Sequence, residues 1–333
     1  MKKFICILFL LLSSVVSAQN KVGTTAAEFL TIPVGTKAMG MGGAFIAVAD
    51  DITAAFYNPG SLSRIENNQF VTNYSEWLVG SKYSWFGLGI KISDDNYAAL
   101  SVTSLDYGED EITTISSPEG TGEMWSASDI AIALTYSRNL TDRFSIGGSV
   151  KYIQQRIWNE SASSFAADIG LLYRTQVEGL NIGMSISNFG TQMQLDGKDL
   201  LHAIDIDDAY NYNNSTITSN LSTDKWELPL IFAVGLSWKF DLLYDIAFTA
   251  AGDAIIPSNE NTYLNLGGEM QWNNLFFARI GRNSLLKENA EEGLTFGFGI
   301  KYEVADLRIA VEYAYLDFGA WSNLSRYSIT IGF

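Results

Sequence analysis

From about residue 68 to its last residue, the chain repeats short stretches in which apolar residues alternate with small or polar ones. Alternation with period 2 predicts β-strands that each present one apolar face and one small or polar face. No amphipathic helix interrupts the series, so the predicted fold class is all-β. The clearest stretches lie at residues 129–136, 144–152, 180–186, 230–238, 244–250, 264–272, 294–302, 307–315 and 326–333.

The connections between these stretches alternate in length. Short turns at one end and long loops at the other are typical of an antiparallel, up-and-down transmembrane β-barrel whose turns face the periplasm. With residues 97–115 read as one long strand, the prediction is about 14 strands, an even number that places both termini in the periplasm. The short connections fall near residues 93–96, 139–142, 175–179, 239–242, 273–274 and 304–306, and the longer ones near 78–81, 116–126, 159–163, 190–225, 254–261, 284–293 and 319–323.

Charged residues within the strands identify which face points inward. A charge on the lipid face at the bilayer midplane costs about 2–4 kcal/mol, so charged side chains should share the small-residue face. Both signs occur on that face, so the charges can pair with one another inside the barrel. The predicted lumen charges are Asp129, Lys151, Asp168, Asp245, Glu269, Arg279, Lys301, Arg308 and Glu312.

The tryptophans favour the same membrane interpretation. Amphipathic rings belong at the level of the lipid headgroups, where they form an aromatic girdle on each side of a transmembrane barrel. The predicted outer girdle contains Trp77, Trp85, Trp125, Trp158, Trp226 and Trp321, and the predicted periplasmic girdle contains Trp238 and Trp272.

The N-terminus indicates export. Lys2 and Lys3 precede an apolar run, and residues 16–18 fit a cleavage site of small residues, which predicts a signal peptide at residues 1–18. The single cysteine, Cys6, lies within it, so the mature chain has no disulfide or thiolate chemistry. Charged residues make up 17% of the chain, below the roughly 25% of soluble domains, and the net charge of −16 argues against nucleic acid as a partner.

Residues 19–66 differ from the strand region that follows. They contain glycines, small residues and short apolar runs, closed by an Asn58-Pro59-Gly60 turn. A barrel of about 14 strands is wider than its own side chains fill. We therefore expect residues 19–66 to form an N-terminal hatch, or plug, inside a barrel of residues 67–333. The hatch motif consists of Gly40, Gly42, Gly43, Asp50, Asp51, Asn58, Pro59 and Gly60.

No catalytic, cofactor or metal site is predicted. The glycines of the hatch lack the Gly-Lys-Ser/Thr ending of a phosphate-binding loop. His202, the only histidine, lies in the long loop near Asp205, Asp207 and Asp208. An Asp-His pair could activate water, but no second catalytic element accompanies it. The acidic cluster lacks the spacing and the glycine of an EF-hand loop, so we expect a solvated loop and a protein that is not an enzyme.

Several motifs resemble a known family. Residues 40–51, followed by Tyr57-Asn-Pro-Gly60, resemble the N-terminal signature of the PorV/PorQ family, which belongs to the wider FadL-like group of outer-membrane barrels. The resemblance extends over about residues 23 to 333. The C-terminal alternation also resembles the insertion signal of such barrels, with Tyr327, Ile329, Ile331 and Phe333 as its apolar positions. Further matching motifs occur, in order, at residues 105–108, 120–123, 127–130, 147–153, 168–171 and 188–190.

The resemblance implies a FadL-type barrel with a hatch in the outer membrane of a Gram-negative cell, in contact with outer-membrane lipid. It leaves three functions open. PorV-like proteins take part in type IX secretion, where they bind the C-terminal domains of exported cargo and cooperate with translocon subunits. FadL relatives instead move fatty acids or other hydrophobic ligands through the barrel wall. The third function is that of a structural outer-membrane protein with neither activity. The secretion role is the main expectation and hydrophobic transport is the alternative.

Overall fold

A computed structural model describes residues 23–48, 50–204, 217–287, 290–305, 307–319 and 323–333. The predicted signal peptide, the three loop aspartates near His202, and Trp321 lie outside these residues. The first strands are β1 (Gln69–Glu76), β2 (Lys82–Ser93), β3 (Asn96–Glu111), β4 (Met124–Asn139), β5 (Phe144–Ile157), β6 (Glu160–Arg174) and β7 (Leu180–Gly190). Short strands follow in the long connection: β8 (Met193–Gln194), β9 (Asp196–Gly197), β10 (Leu201–Ile204), β11 (Ile217–Asn220) and β12 (Lys225–Trp226). The last strands are β13 (Ile231–Leu243), β14 (Ile246–Pro257), β15 (Tyr263–Trp272), β16 (Phe276–Leu285), β17 (Leu294–Val304), β18 (Leu307–Asp317) and β19 (Asn323–Gly332).

Fourteen of the described strands, β1–β7 and β13–β19, form one closed antiparallel barrel. Each pairs with its neighbours in sequence, β7 pairs with β13, and β19 pairs with β1 to close the ring. Backbone hydrogen bonds join Asn68 and Phe333 at 3.2 and 3.0 Å at the closure. The predicted all-β, up-and-down barrel of about 14 strands is confirmed.

The connections segregate to the two ends of the barrel. The turn end carries both ends of the barrel sequence and the short turns. The loop end carries the longer connections, including residues 191–204 and 217–230. One predicted turn is misplaced: β13 continues to Leu243, which pairs with Ile246 across the Tyr244-Asp245 turn. Asp245 is therefore an exposed turn residue, and its predicted place in the lumen is wrong. The apolar alternation simply runs past the position at which the turn was predicted.

The barrel is apolar outside and small or polar inside. For example, Leu134 on β4 and Val150 on β5 are 65% and 63% exposed, whereas their sequence neighbours Thr135 and Ser149 are buried. A soluble sheet would bury its apolar face, whereas a transmembrane barrel turns it outward toward lipid. Among the described residues, no helix combines the length and the apolar content needed to cross a membrane.

Residues 23–48 and 50–66, here called the N-terminal segment, lie within the ring. Because they contact the inward residues of strands on all sides of the barrel, the buried core forms between the segment and the wall. The segment contains the α-helices Thr36–Gly40 and Ala54–Tyr57 and the 3₁₀ helices Glu28–Thr31 and Pro59–Arg64. Two further 3₁₀ helices, Leu78–Gly80 and Lys198–Leu200, lie at the loop end.

Part of the predicted outer aromatic girdle faces inward instead. Trp85 is only 1% exposed, because on β2 it shares the inward register with Tyr83 and Gly87. Trp77 is half-buried and packs against Tyr83 and Phe318, with ring centroids 6.2 and 5.9 Å away. The assignment of Trp77 and Trp85 to the girdle is wrong, since both rings help to fill the interior.

Candidate functional site

The Asn58-Pro59-Gly60 turn docks onto the inner wall where the wall has no side chains. A Cβ built on Gly60 would lie 2.5 Å from the carbonyl oxygen of Gly170 on β6. A Cβ on Gly147 of β5 would lie 2.3 Å from the carbonyl oxygen of Pro59. Real Cβ atoms do not approach backbone this closely, so two wall glycines and one turn glycine permit the contact.

Asn58 secures the same turn by hydrogen bonds. Its side chain is fully buried, and Nδ2 donates to the carbonyl oxygens of Ile46 at 2.8 Å and Leu171 at 2.9 Å. Its Oδ1 accepts from the backbone N–H of Gly60 at 3.1 Å, which caps the following 3₁₀ helix. One buried amide thus joins two parts of the N-terminal segment to strand β6.

The glycine-rich stretch of the hatch motif contacts the opposite side of the wall. A Cβ on Gly40 would lie 2.9 Å from Cα of Gly297, and one on Gly42 would lie 2.6 Å from the backbone nitrogen of Arg282. Gly43 has a φ of +79° and faces the side-chain amide of Asn265. The glycines of the motif therefore allow the backbone of the N-terminal segment to lie directly against the backbone of the wall.

A buried carboxylate also holds this stretch. Asp253 on β14 accepts the backbone N–H groups of Phe45 at 2.6 Å and Ile46 at 2.8 Å. The Ser237 hydroxyl on β13 donates to the carbonyl oxygen of Ala47 at 2.9 Å. Two backbone N–H groups of the segment share this one buried acceptor, so Asp253 is a principal anchor of the N-terminal segment.

An ion-pair network, here called the lumen charge cluster, links the segment to strands β15, β16 and β18. Glu269 lies between two cations, 3.2 Å from the Lys37 ammonium and 2.6 Å from Nε of Arg279. The Arg279 guanidinium also lies 2.7 Å from Glu312, and Lys37 lies 2.8 Å from Asp50. Of the predicted lumen charges, Glu269, Arg279 and Glu312 thus meet at one place, and the hatch residue Asp50 joins them through Lys37.

Burial and neighbouring charges shift the pKa values of two residues of the N-terminal segment, Lys37 in the cluster and Asp51 beside it. Burial disfavours the Lys37 ammonium, but the Asp50 and Glu269 carboxylates outweigh it and raise the pKa of Lys37. Burial, together with the neighbouring Asp50 carboxylate, raises the pKa of Asp51 to about 6. The Asp51 carboxylate accepts the backbone N–H of Thr53 at 2.8 Å and also its hydroxyl. Lys37 therefore remains charged as the counter-ion of the cluster.

A second buried pair lies near the middle of strands β5 and β6. Lys151 on β5 is 2.8 Å from Asp168 on β6 and donates to Oδ1 of Asn188 at 2.8 Å. Asn188 has a φ of +64° and donates its own backbone N–H to Asp168 at 2.8 Å. The register between β6 and β7 shifts beside it, between Ala167 and Ile169. Lys151 and Asp168 thus stabilise an irregular position in the wall.

The remaining predicted lumen charges lie apart from these pairs. Lys301 and Arg308 are half-buried and line a polar cavity of about 260 Å³ at the turn end, next to the lumen charge cluster. Arg308 also pairs with Glu303 at 3.1 Å. Asp129 lies at the other end of the lumen, where it lines the loop-end groove.

At the loop end, an apolar groove of about 550 Å³ opens between the wall and the long connection. One side is formed by β3, β4, β5 and β6, and the other by β8, β12 and the start of the N-terminal segment. Aromatic rings come from both sides. The residues that line this loop-end groove are Ala26, Tyr107, Trp125, Ala127, Asp129, Gln155, Arg156, Ile157, Ala162, Met193, Leu195 and Trp226.

A bulge in β3 places a tyrosine beside this groove. The register between β3 and β4 shifts between Asp106 and Glu109, and Gly108 there has a φ of +84°. The extra residues direct the Tyr107 hydroxyl to Asp129, to which it donates at 2.9 Å. An irregularity in strand β3 thus supplies one wall of the groove.

The C-terminal stretch lies where alternation predicts. Tyr327, Ile329 and Phe333 are exposed on the outer face of the barrel, and Ile331 shares their register on β19. Their role as an insertion signal stays a prediction. His202 is exposed on β10, where its carbonyl oxygen accepts from Ser219 at 3.1 Å. In the part of the chain that the structure describes, no group of three or more histidine, cysteine or acidic residues could hold a metal ion.

Sequence reasoning missed several residues of the interior. The predicted strand stretch ended at Ala250 and Asp253 was not among the predicted lumen charges, but the alternation of β14 continues to Asp253 and gives it the inward register of Ala251. Lys37 was passed over because its stretch was interpreted through its glycines. Trp125 and Trp226 were assigned to the girdle, whereas both line the groove.

Comparison with known proteins identifies the fold. No family model and no curated protein sequence matches this chain. Among solved structures, it is similar to a Pseudomonas aeruginosa FadL homologue, at 13% identity and a TM-score of 0.52, covering 91% of this chain and 98% of that one. It is also similar to the Ralstonia pickettii toluene transporter TbuX (10% identity, TM-score 0.55) and the P. putida toluene transporter TodX (12%, 0.53), each covering 90% of this chain and 97% of the other.

The chain therefore has the fold of FadL-like outer-membrane channels. The broader part of the predicted resemblance, a FadL-like barrel, is confirmed at the level of fold. These comparisons do not support the narrower assignment to the PorV/PorQ family, which stays a prediction.

Proposed function

We propose that this protein is an outer-membrane channel for small hydrophobic compounds and that the loop-end groove is where they first bind. The observation that carries the proposal is the groove itself: an apolar, aromatic-lined site at the mouth of a barrel whose lumen is filled. Ligand sites are typically concave, mostly apolar and equipped with a few polar groups. Similar folds occur in the FadL homologue and in the toluene transporters TbuX and TodX, and this favours transport.

The location proposed for the barrel follows from its outer face. We place it as an integral protein in the outer membrane, with the turn end and both termini in the periplasm and the loop end outside the cell. The exposed apolar residues of the wall then contact lipid.

Val150 tests this location. Val150→Lys puts a charge at the middle of β5 on the outer face and is expected to lower the free energy of unfolding by about 2–4 kcal/mol. The matched control is Val177→Lys, since Val177 is similarly exposed but lies in a turn, where a charge costs about 0–1 kcal/mol. Urea titration of the barrel in lipid vesicles measures both. Equal effects at the two positions would contradict the membrane location.

The N-terminal segment is proposed to be the plug of this channel. Its contacts with wall glycines, with Asp253 and with the lumen charge cluster hold it across the lumen, where cavities of about 280 and 260 Å³ remain beside it. A compound that enters the groove therefore has to pass beside the segment or leave through the wall. A fixed plug restricts ions and polar solutes more than it restricts an apolar compound taken up at the groove.

Binding to the groove can be tested directly. Tritiated decan-1-ol is expected to bind to the purified protein in lipid nanodiscs above the level of empty nanodiscs. Ala162→Trp should weaken this binding by about tenfold or more, because the indole fills the groove from its buried position on β6. The control is Ala203→Trp, at an exposed position on β10. Binding that is absent in the wild type, or that is unchanged in Ala162→Trp, would contradict the proposed function.

Type IX secretion was the main expectation from sequence. It depends on the PorV/PorQ resemblance, which the comparisons do not support, and on loops that would bind exported C-terminal domains or translocon subunits. Co-purification of such proteins with the barrel from solubilised membranes, together with a groove that binds no decan-1-ol, would favour secretion over transport.

A further inference from the structure

The loop-end groove is mostly apolar, and Asp129 is the buried acid among its lining residues. Asp129 on β4 is 3% exposed and lies among the residues that line the groove. Its Oδ2 accepts hydrogen bonds from the Tyr107 hydroxyl at 2.9 Å and from Nε2 of Gln155 at 3.0 Å. Gln155 in turn accepts the backbone N–H of Ala27 at 2.8 Å. Asp129 is thus fixed in place by strands β3 and β5, and through Gln155 by the N-terminal segment.

Among the residues that the structure describes, no cation pairs directly with this acid. Within the described residues, no ammonium or guanidinium nitrogen lies within ion-pair distance of the Asp129 carboxylate. Arg156, the other charged residue along the groove, is exposed at the rim, and its Nε donates to the carbonyl oxygen of Trp158 at 3.1 Å. The two neutral donors to Asp129 orient the carboxylate but leave it without a counter-charge. With Asp129 ionised, the inner part of the groove is negative.

A charged side chain in a groove that is partly shielded from water strongly affects which ligand head groups can bind there. Two like charges a few ångströms apart repel far more strongly in a protein interior than in water. A carboxylate head that reached the apolar groove would meet the Asp129 carboxylate, whereas an ammonium head would pair with it. A hydroxyl head could donate a hydrogen bond to it.

We propose that Asp129 is a specificity-determining residue that makes the groove select hydrophobic compounds with cationic or neutral hydrogen-bond-donating heads and reject those with carboxylate heads. This inference rests on the proposed function, since it concerns the same groove. The substrate class would be apolar amines and alcohols, as distinct from ionised fatty acids.

A series of ligands with one chain length and different heads tests the proposal. Decylamine, decan-1-ol and decanoate are titrated at pH 7.5 against the full-length protein in nanodiscs of zwitterionic lipid, with empty nanodiscs as the blank. Wild type should bind decylamine at least about tenfold more tightly than decanoate, with decan-1-ol between them. Asp129→Asn, which keeps a side chain of the same size, should reduce the amine-to-carboxylate preference by about tenfold. Asp129→Glu should retain a preference for the amine.

Asp110→Asn is the matched control. Asp110 is an exposed acid of β3 that does not line the groove, so removing its charge should leave the preference within about twofold of wild type. Equal binding of amine and carboxylate by wild type, or an unchanged preference in Asp129→Asn, would overturn the proposal. A preference that disappears in Arg156→Gln and persists in Asp129→Asn would also overturn it. Failure of decan-1-ol to bind at all would instead contradict the proposed function.

Discussion

Glu269→Leu is expected to lower the free energy of unfolding by about 3–5 kcal/mol, because it removes the central anion of a buried charge network. The side chains of Glu269 and Arg279 are 4% and 2% exposed, and that of Lys37 is 10% exposed. In this variant Arg279 still pairs with Glu312, and Lys37 still pairs with Asp50. The expected loss of stability is therefore near the lower end of that range. The substitution leaves two buried cations with one carboxylate each, and only part of that cost is regained from the added apolar surface.

Urea titration in lipid vesicles measures the loss, with Glu303→Leu as the control. Glu303 pairs with Arg308 at 3.1 Å, but the two side chains are about half exposed, so this pair should contribute less than about 1 kcal/mol. If the two variants were equally stable, the lumen charge cluster would not hold the N-terminal segment as described.

Gly60→Val is expected to make the barrel conduct ions, whereas the wild-type barrel should not conduct because the N-terminal segment blocks its lumen. The new side chain would need the space occupied by the backbone of Gly170 and Leu171, so the Asn58-Pro59-Gly60 turn could not dock on the wall. Displacing that turn also separates Asn58 from its partners on both sides. With its plug loosened, a barrel of this width conducts water and ions.

Conductance across a planar lipid bilayer measures this effect, with wild type and Gly252→Val recorded in parallel. Gly252 lies in the outward register of β14, where an added Cβ would meet the movable end of the Leu266 side chain at 3.1 Å, so this variant should remain closed. Steady conductance by wild type, or a folded Gly60→Val barrel that stays closed, would contradict the role proposed for the N-terminal segment.

The barrel could be predicted because one physical rule acts at every strand position. Charge and small residues are kept inside and apolar residues outside, so Glu269, Arg279 and Glu312 could be assigned to the lumen without knowing their partners. Strand ends follow no such rule, because alternation continues where a strand merely extends beyond the membrane. That is why the turn before Ile246 was misplaced and why Asp253 was missed.

The groove could not be predicted, since its residues come from distant parts of the chain. Tyr107 faces it because of a bulge in β3, and Met193 and Trp226 reach it through the folded long connection. Tryptophan occurs both at lipid interfaces and beside apolar ligands, so its position in the sequence does not distinguish these two roles. The clearest sequence signal was the irregular residues Leu105-Asp-Tyr-Gly108, which were noted only as a family motif.

The most direct test of the account is the position of a bound apolar compound. Crystals of the protein grown with 10-bromodecan-1-ol and measured at the bromine absorption edge would locate the compound by anomalous scattering. The account predicts a bromine peak inside the loop-end groove, between Trp125, Met193 and Trp226. Bromine peaks confined to the outer wall of the barrel, with the groove empty, would contradict it.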